Sequence, residues 1–233
     1  MANALAVFFV VSEPIFSTEQ CKTFGHFSNE NASLLYKTLL LNMFELFSPL
    51  VQKEEFYLYL NEVDNAALGI ELTESLPSSH IFFAGSETMD SAFPQLFERK
   101  DPETKKVFYV NPDFVGLTPN DVHQIMNLLQ LEDDVLILKK TQHKKVDFFA
   151  TNNFRPEIAE IVKKKNFVCD SSLKKLSGLD YHVYKLKDIF SVTHANDFPE
   201  LYKMLSRKEN YDCCSKQIHD RFTHLFIEYK ELL

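Results

Sequence analysis

Seven short runs rich in β-branched and aromatic residues constrain this chain more than any other feature. They are ALAVFFVV (4–11), FYLYL (56–60), IFFA (81–84), VFYV (107–110), VLIL (135–138), FFAT (148–151) and HVYKL (182–186). Most are apolar at consecutive positions, which fits a strand covered on both faces better than a strand with one wet side. Helical patterns lie between most of them. Residues 32–47 carry Leu34, Leu35, Leu39, Met43, Leu46 and Phe47 on a broad apolar face, and Pro49 ends the pattern. Further helices are expected over 89–99, where Pro94 either kinks the helix or sits in its first turn, over 157–165, and over 199–205, with Asp197 as a cap. Alternating strands and helices predict an α/β fold: one domain with a mostly parallel twisted sheet flanked by helices.

The clearest unit is VFYVNPDFVGLTPNDVHQIMNLL, from Val107 to Leu129. A buried strand ends at Val110 and Asp113 follows just past its carboxyl end. The chain turns through Gly116, and a helix starts with Thr118 as N-cap, Pro119 at the first position and Asp121 at the third. Val122, Ile125, Met126, Leu128 and Leu129 mark its buried face.

At the other end of the chain, Ile218, Phe222, Leu225, Phe226, Tyr229 and Leu232 recur at helical spacing over 212–232. This stripe is buried either by its own domain or by the same helix of a second chain in a homodimer. The expected organisation is therefore a domain over 1–206 and a C-terminal helical extension over 207–233.

Bulk composition narrows the partners. Hydrophobic residues make up 45% of the 233, with 22 Phe and no Trp, enough for a substantial core. A net charge of −8, with lysines only in short groups, disfavours nucleic acid. The first apolar run has no basic segment before it and is too short for a membrane span, which needs about 20 residues. Four cysteines without a C-x-x-C pair read as packing residues in a reducing cytoplasm. With five glycines and no G-x-G-x-x-G, G-x-x-x-x-G-K, G-x-S-x-G or H-E-x-x-H motif, dehydrogenases, P-loop enzymes, α/β-hydrolases and zinc proteases lack their defining residues.

In open parallel sheets ligands bind beyond the carboxyl ends of the strands. Asp113 belongs there, where it can hold a divalent metal bridging a diphosphate or, as Asx residues commonly do, close a turn through its side chain. Lys22 follows the first strand by a short loop and is placed either to receive a phosphate or to sit on the surface. His143, in the polar TQHKK loop, reads as a solvated histidine.

Several stretches together resemble the bacterial nucleotide-diphospho-sugar transferase-like family, which has a glycosyltransferase fold of the A type. They are CKTFG (21–25), ASLLYKTLLLNMFE (32–45), ETMDSAF (87–93), PDFVGLTPND (112–121), DDVLIL (133–138) and HANDFPEL (194–201), and their order matches too. The resemblance implies binding of a nucleotide-activated sugar at the strand ends. It makes Asp113 the metal and diphosphate contact, with weakly held Mg²⁺ or Mn²⁺, and Lys22 with Thr23 the nucleotide-side contact. Two departures stand out. The family's Asp-Gly-Gly-Tyr after the strand ending at Leu138 is replaced by KKTQHKKVDFF, and its late Asp-Val-Asp by Ser191, Val192 and Thr193. Lys140, Lys144 or Lys145 could then stabilise a diphosphate in place of metal, or form a solvated turn. Three functions stay open: a sugar transferase, a nucleotidyltransferase on the same fold, and a catalytically silent relative acting as a binding or assembly module.

Overall fold

The computed structural model describes residues 5–49, 55–68, 80–85, 93–143, 146–163, 175–176 and 178–233. The strands are β1 (Leu5–Val10), β2 (Phe56–Asn61), β3 (Ile81–Ala84), β4 (Lys106–Val110), β5 (Phe114–Val115), β6 (Val135–Lys140), β7 (Val146–Thr151), β8 (His182–Lys185) and β9 (Phe190–Ser191). The helices are α1 (Asn29–Phe47), α2 (Phe93–Leu96), α3 (Pro119–Leu128), α4 (Pro156–Lys163), α5 (Asp197–Leu205) and α6 (Lys216–Glu228).

Seven strands form one sheet in the order β3-β2-β1-β4-β7-β6-β8. Neighbours pair in parallel, except that β7 runs antiparallel to both β4 and β6. The exception has a simple cause. β6 and β7 are joined by a short turn, which can only return the chain alongside itself, whereas parallel neighbours need a long crossover. A separate antiparallel pair, β5 with β9, sets Phe114 opposite Ser191 and Val115 opposite Phe190.

Both faces of the sheet are covered at β1, β2, β4 and β7, as the unbroken apolar runs require, while the edge strand β8 is largely exposed. Leu5, Val7 and Phe9 point into a core shared with α1, α3, α5 and α6, while Ala6, Phe8 and Val10 point into a second core under α2 and α4. Phe9 stacks on Phe56 and Phe8 on Tyr57, so adjacent strands are tied by ring pairs as well as by the ladder. Truncating a ring such as Phe9 to alanine would cost about 3–5 kcal/mol.

α1 starts three residues before the expected position because Ser28 caps it, its Oγ accepting from Asn31 N at 3.2 Å. α3 carries the expected Thr118 cap as a reciprocal capping box with Asp121. Pro94 lies in the first turn of α2, and the 89–92 part of the expected helix lies outside the described residues. Asp197 does not cap its helix. α5 begins at Asp197, and the carboxylate instead accepts from Thr193 N and His194 N before it.

The C-terminal stripe is buried within the chain. Ile218, Phe222, Leu225 and Phe226 join the core around α1, and Tyr229 stacks on Phe27 with ring centroids 3.8 Å apart. Burial of this face therefore does not call for a second copy. Cys21 and Cys213 are buried thiols, as expected of packing residues, and burial with Asp64 nearby pushes Cys21 up to about 11.

Candidate active site at the carboxyl rim of the sheet

The carboxyl ends of β1, β4 and β6 open on one rim, and the loops after them carry the polar residues. The loop after β1 has no glycine before residue 25 and is held by an internal carboxylate. Asp64, in the 3₁₀ turn Glu62–Ala66 after β2, accepts from Ile15 N at 2.9 Å, Phe16 N at 2.7 Å and Ser17 N at 2.9 Å. Three consecutive N–H groups thus end on a side chain that is fully buried. Lys22 N donates to Pro14 O at 2.7 Å, closing the loop so that Glu13 and Lys22 face each other.

Lys22 is the centre of the arrangement. Its Nζ lies 2.7 Å from Asp113 Oδ2, 3.0 Å from Glu13 Oε2 and 4.8 Å from the centroid of the Tyr36 ring. Burial alone would weaken its charge, but Asp113, Tyr36 and Glu13 more than offset this and hold the ammonium above the ordinary lysine range. The Lys22 and Asp113 side chains are 14% and 12% exposed, whereas Glu13 is 55% exposed. The inner arm of the trio is mostly buried and the outer arm lies in solvent. Thr23 is exposed on the same turn, and its carbonyl accepts from Tyr36 Oη at 3.4 Å.

Asp113 is held from behind by residues 191–192. Its carbonyl accepts from Val192 N at 2.8 Å and from Ser191 Oγ at 3.3 Å. Neither Ser191 nor Thr193 brings a carboxylate. The carboxylates that meet Lys22, Asp113 and Glu13, are both engaged by the ammonium, and among the described residues no group of three His, Cys, Asp or Glu side chains is placed to hold a metal ion. The cation opposite the Asp113 carboxylate is Lys22.

The loop after β6 departs from the reading of a solvated turn. Gln142 clasps Ser191 through both ends of its amide, accepting from Ser191 N at 2.8 Å and donating to Ser191 O at 2.6 Å. His143 Nε2 lies 3.1 and 3.2 Å from the two oxygens of Asp197. The expected free histidine is thus a paired one. Nothing near His143 in the sequence signals this, since its partner is 54 positions away. Lys140 ends β6 at the same rim, and Lys144 and Lys145 lie outside the described residues. Gly25, at φ +56°, passes so close to Ala195 that a Cβ there would sit 2.5 Å from the alanine Cβ. The loops after β1, β4 and β6 and the segment 190–197 form one continuous rim. A cavity of about 390 Å³ is lined by Asn42, Glu45, Thr118, Tyr211 and Cys214 among others, and Lys22, Asp113 and His143 do not line it.

This sheet order, with its single reversed strand, is that of a nucleotide-diphospho-sugar transferase-like fold. The chain has that fold along nearly its whole length. It superposes on a provisional nucleotide-diphospho-sugar transferase from Desulfovibrio desulfuricans G20 with a TM-score of 0.67, covering 98% of this chain and 99% of that one at 18% identity. It also resembles Rv0371c from Mycobacterium tuberculosis H37Rv, with a TM-score of 0.50 over 87% of this chain and 100% of that one at 11% identity. At these identities the likeness is one of fold. No protein-family profile matches the sequence, and no curated protein is similar to it. No helix among the described residues is long and apolar enough to cross a membrane.

Proposed function

We propose that the chain binds a nucleotide-diphospho-sugar at the rim, with Lys22 as the contact for the diphosphate and Thr23 beside it, and passes the sugar to an acceptor. The observation that carries this reading is the Lys22–Asp113 pair at 2.7 Å with an exposed Glu13 as its outer arm. A diphosphate offers Lys22 the same kind of oxygen that Glu13 does. It can take Glu13's place while Asp113 keeps the ammonium charged and aimed. An ammonium held in this way meets the negative charge that grows on the leaving diphosphate, the task that a metal ion performs where carboxylates are plentiful. Lys140 is proposed as a further cationic contact. This reading places the protein in the cytoplasm, with a small molecule rather than nucleic acid as its partner.

Thermal unfolding with UDP-, GDP-, CDP- and dTDP-glucose, each with Mn²⁺ or with a chelator, tests the proposal. A ligand that binds only the folded chain at 100 times its Kd adds about 2.7 kcal/mol, several degrees for a domain of this size. The expected result is a rise with one nucleotide sugar that survives chelation and is lost in Lys22→Met. A rise only with Mn²⁺ would restore a metal to Asp113. A rise with CTP or UTP but not with the sugars would favour a nucleotidyltransferase. No rise at millimolar ligand would leave a binding or assembly module on a transferase-like fold.

A further inference from the structure

We propose that His143, positioned by Asp197, is the general base that takes the proton from the acceptor hydroxyl. This rests on the transfer reading above and adds the residue that activates the nucleophile. The Asp197 carboxylate is held from several sides: Oδ2 accepts from His194 N at 2.8 Å and Thr193 N at 3.0 Å, and Oδ1 from Gln142 Nε2 at 3.3 Å. Burial works to raise its pKa, but the two backbone N–H groups and the His143 ring bring it below the ordinary carboxylate value. An ionised Asp197 on Nε2 makes that nitrogen the donor and leaves Nδ1 with its lone pair. Gln142 Nε2 also lies 3.3 Å from His143 Nε2. Its two hydrogens have Ser191 O and Asp197 Oδ1 as acceptors, so it does not compete for the tautomer.

The ring is 29% exposed and stands edge-on to His194, with centroids 5.0 Å apart. Among the described residues, the charged or titratable groups in contact with it are Asp197 on α5 and His194 in the loop before α5. Gln142 ties the His143 loop to Ser191, and Ser191 and Val192 in turn bond the carbonyl of Asp113. The imidazole thus belongs to the rim that holds Lys22, although the sequence separates the two by most of the chain. A carboxylate and an imidazole oriented by it, on the rim that also carries the Lys22 ammonium, are parts that base-assisted transfer needs.

In the step, the acceptor O–H proton goes to Nδ1 and the acceptor oxygen forms a bond to the anomeric carbon. The bond from that carbon to the diphosphate oxygen breaks with its electron pair. The nucleoside diphosphate leaves toward Lys22, and the imidazolium returns its proton to solvent.

The test uses the full chain with the four nucleotide-glucose probes, following release of nucleoside diphosphate with water or glycerol as acceptor, beside the thermal shift given by the same probe. His143→Gln is expected to keep the shift and to lower release by about 100-fold. Release by His143→Ala should be partly restored by millimolar imidazole, which a fastening role would not predict. Asp197→Asn should fall between wild type and His143→Gln, with its release shifted along the pH axis. An unchanged release rate in a folded His143→Gln protein, or an Nδ1–H tautomer in the imidazole ¹⁵N spectrum of the wild type, would overturn the assignment of the base alone. Absence of any thermal shift in the wild type would overturn the transfer reading, and the base with it.

Discussion

Lys22 and Lys139 each donate to an aspartate carboxylate, yet the fold treats the two ammonium groups in opposite ways. Lys22 sits at the rim, with Asp113 at 2.7 Å, Glu13 at 3.0 Å and an aromatic face above it, and its charge is strengthened. Lys139 points from β6 into the helical layer, 1% exposed, with Asp121 at 3.3 Å. Burial pulls its pKa below the ordinary lysine value, and Asp121 only partly offsets that. Asp121 itself is already engaged by Thr118, through N at 2.9 Å and Oγ1 at 2.7 Å, so Lys139 is an addition to a capping box that closes without it. The contrast teaches that a lysine–aspartate pair is not a site in itself. What marks Lys22 is a second carboxylate on one cation, with one of the two exposed to solvent.

Mutational stability gives the largest expected separation. Asp113→Ala leaves a mostly buried ammonium with only its exposed partner, and should cost about 3 kcal/mol or more in urea unfolding. Lys139→Met replaces a buried charge by an apolar chain of similar length and leaves Asp121 bonded to Thr118. It should lie within about 1 kcal/mol of wild type at neutral pH. Equal costs for the two variants would erase the distinction drawn between the pairs.

The pH dependence of stability should then separate the pairs by sign. An unfolded lysine titrates near 10.5. The folded pKa of Lys22 lies above that value, so its contribution is complete below pH 10.5 and is lost as the pH rises through the folded value. The folded pKa of Lys139 lies below 10.5. In the window between its folded value and 10.5 the unfolded chain binds more protons, and stability rises with pH. Relative to Lys139→Met, wild type should therefore gain stability as pH approaches 10.5. Relative to Lys22→Met, it should lose its advantage above that pH. Denaturant midpoints measured across the alkaline range check both slopes, and parallel curves for the two variants would show that the environments do not differ as described.

The same two regions show what a sequence can disclose. The strands were legible because burial on both faces leaves unbroken apolar runs, and α3 was legible because Thr118, Pro119 and Asp121 are each local signals. The reversed direction of β7 was not, since its composition matches that of the parallel strands. The β5–β9 pair, two residues on each side, is too short to leave a pattern. At the site, Lys22 and Asp113 could be placed at strand ends, by position and by family resemblance, but not joined, because 91 positions separate them. Glu13 and Asp64 carried no signal: an acidic residue in a loop reads the same whether it faces water or three backbone N–H groups. His143 read as solvated because only the tertiary fold brings its partner to it. The Thr118 cap beside Lys139 was visible for the opposite reason, being local.

The smallest expected effect bears most directly on why Lys22 differs from Lys139. If Glu13 is the arm that a diphosphate displaces, Glu13→Gln removes a competing charge without removing the inner partner. An exposed carboxylate contributes at most about 1 kcal/mol, so the gain should be a few-fold in affinity and no more. Titration calorimetry of wild type and Glu13→Gln with the nucleotide sugar that gives the largest thermal shift measures it. The tighter binding should shrink with added salt, because the contact lies in solvent on its outer side. Weaker binding in Glu13→Gln would instead make Glu13 a ligand contact in its own right, holding a sugar hydroxyl or a metal brought by the substrate. Lys22 would then be a cation locked between two permanent partners, closer in kind to Lys139 than its exposure suggests.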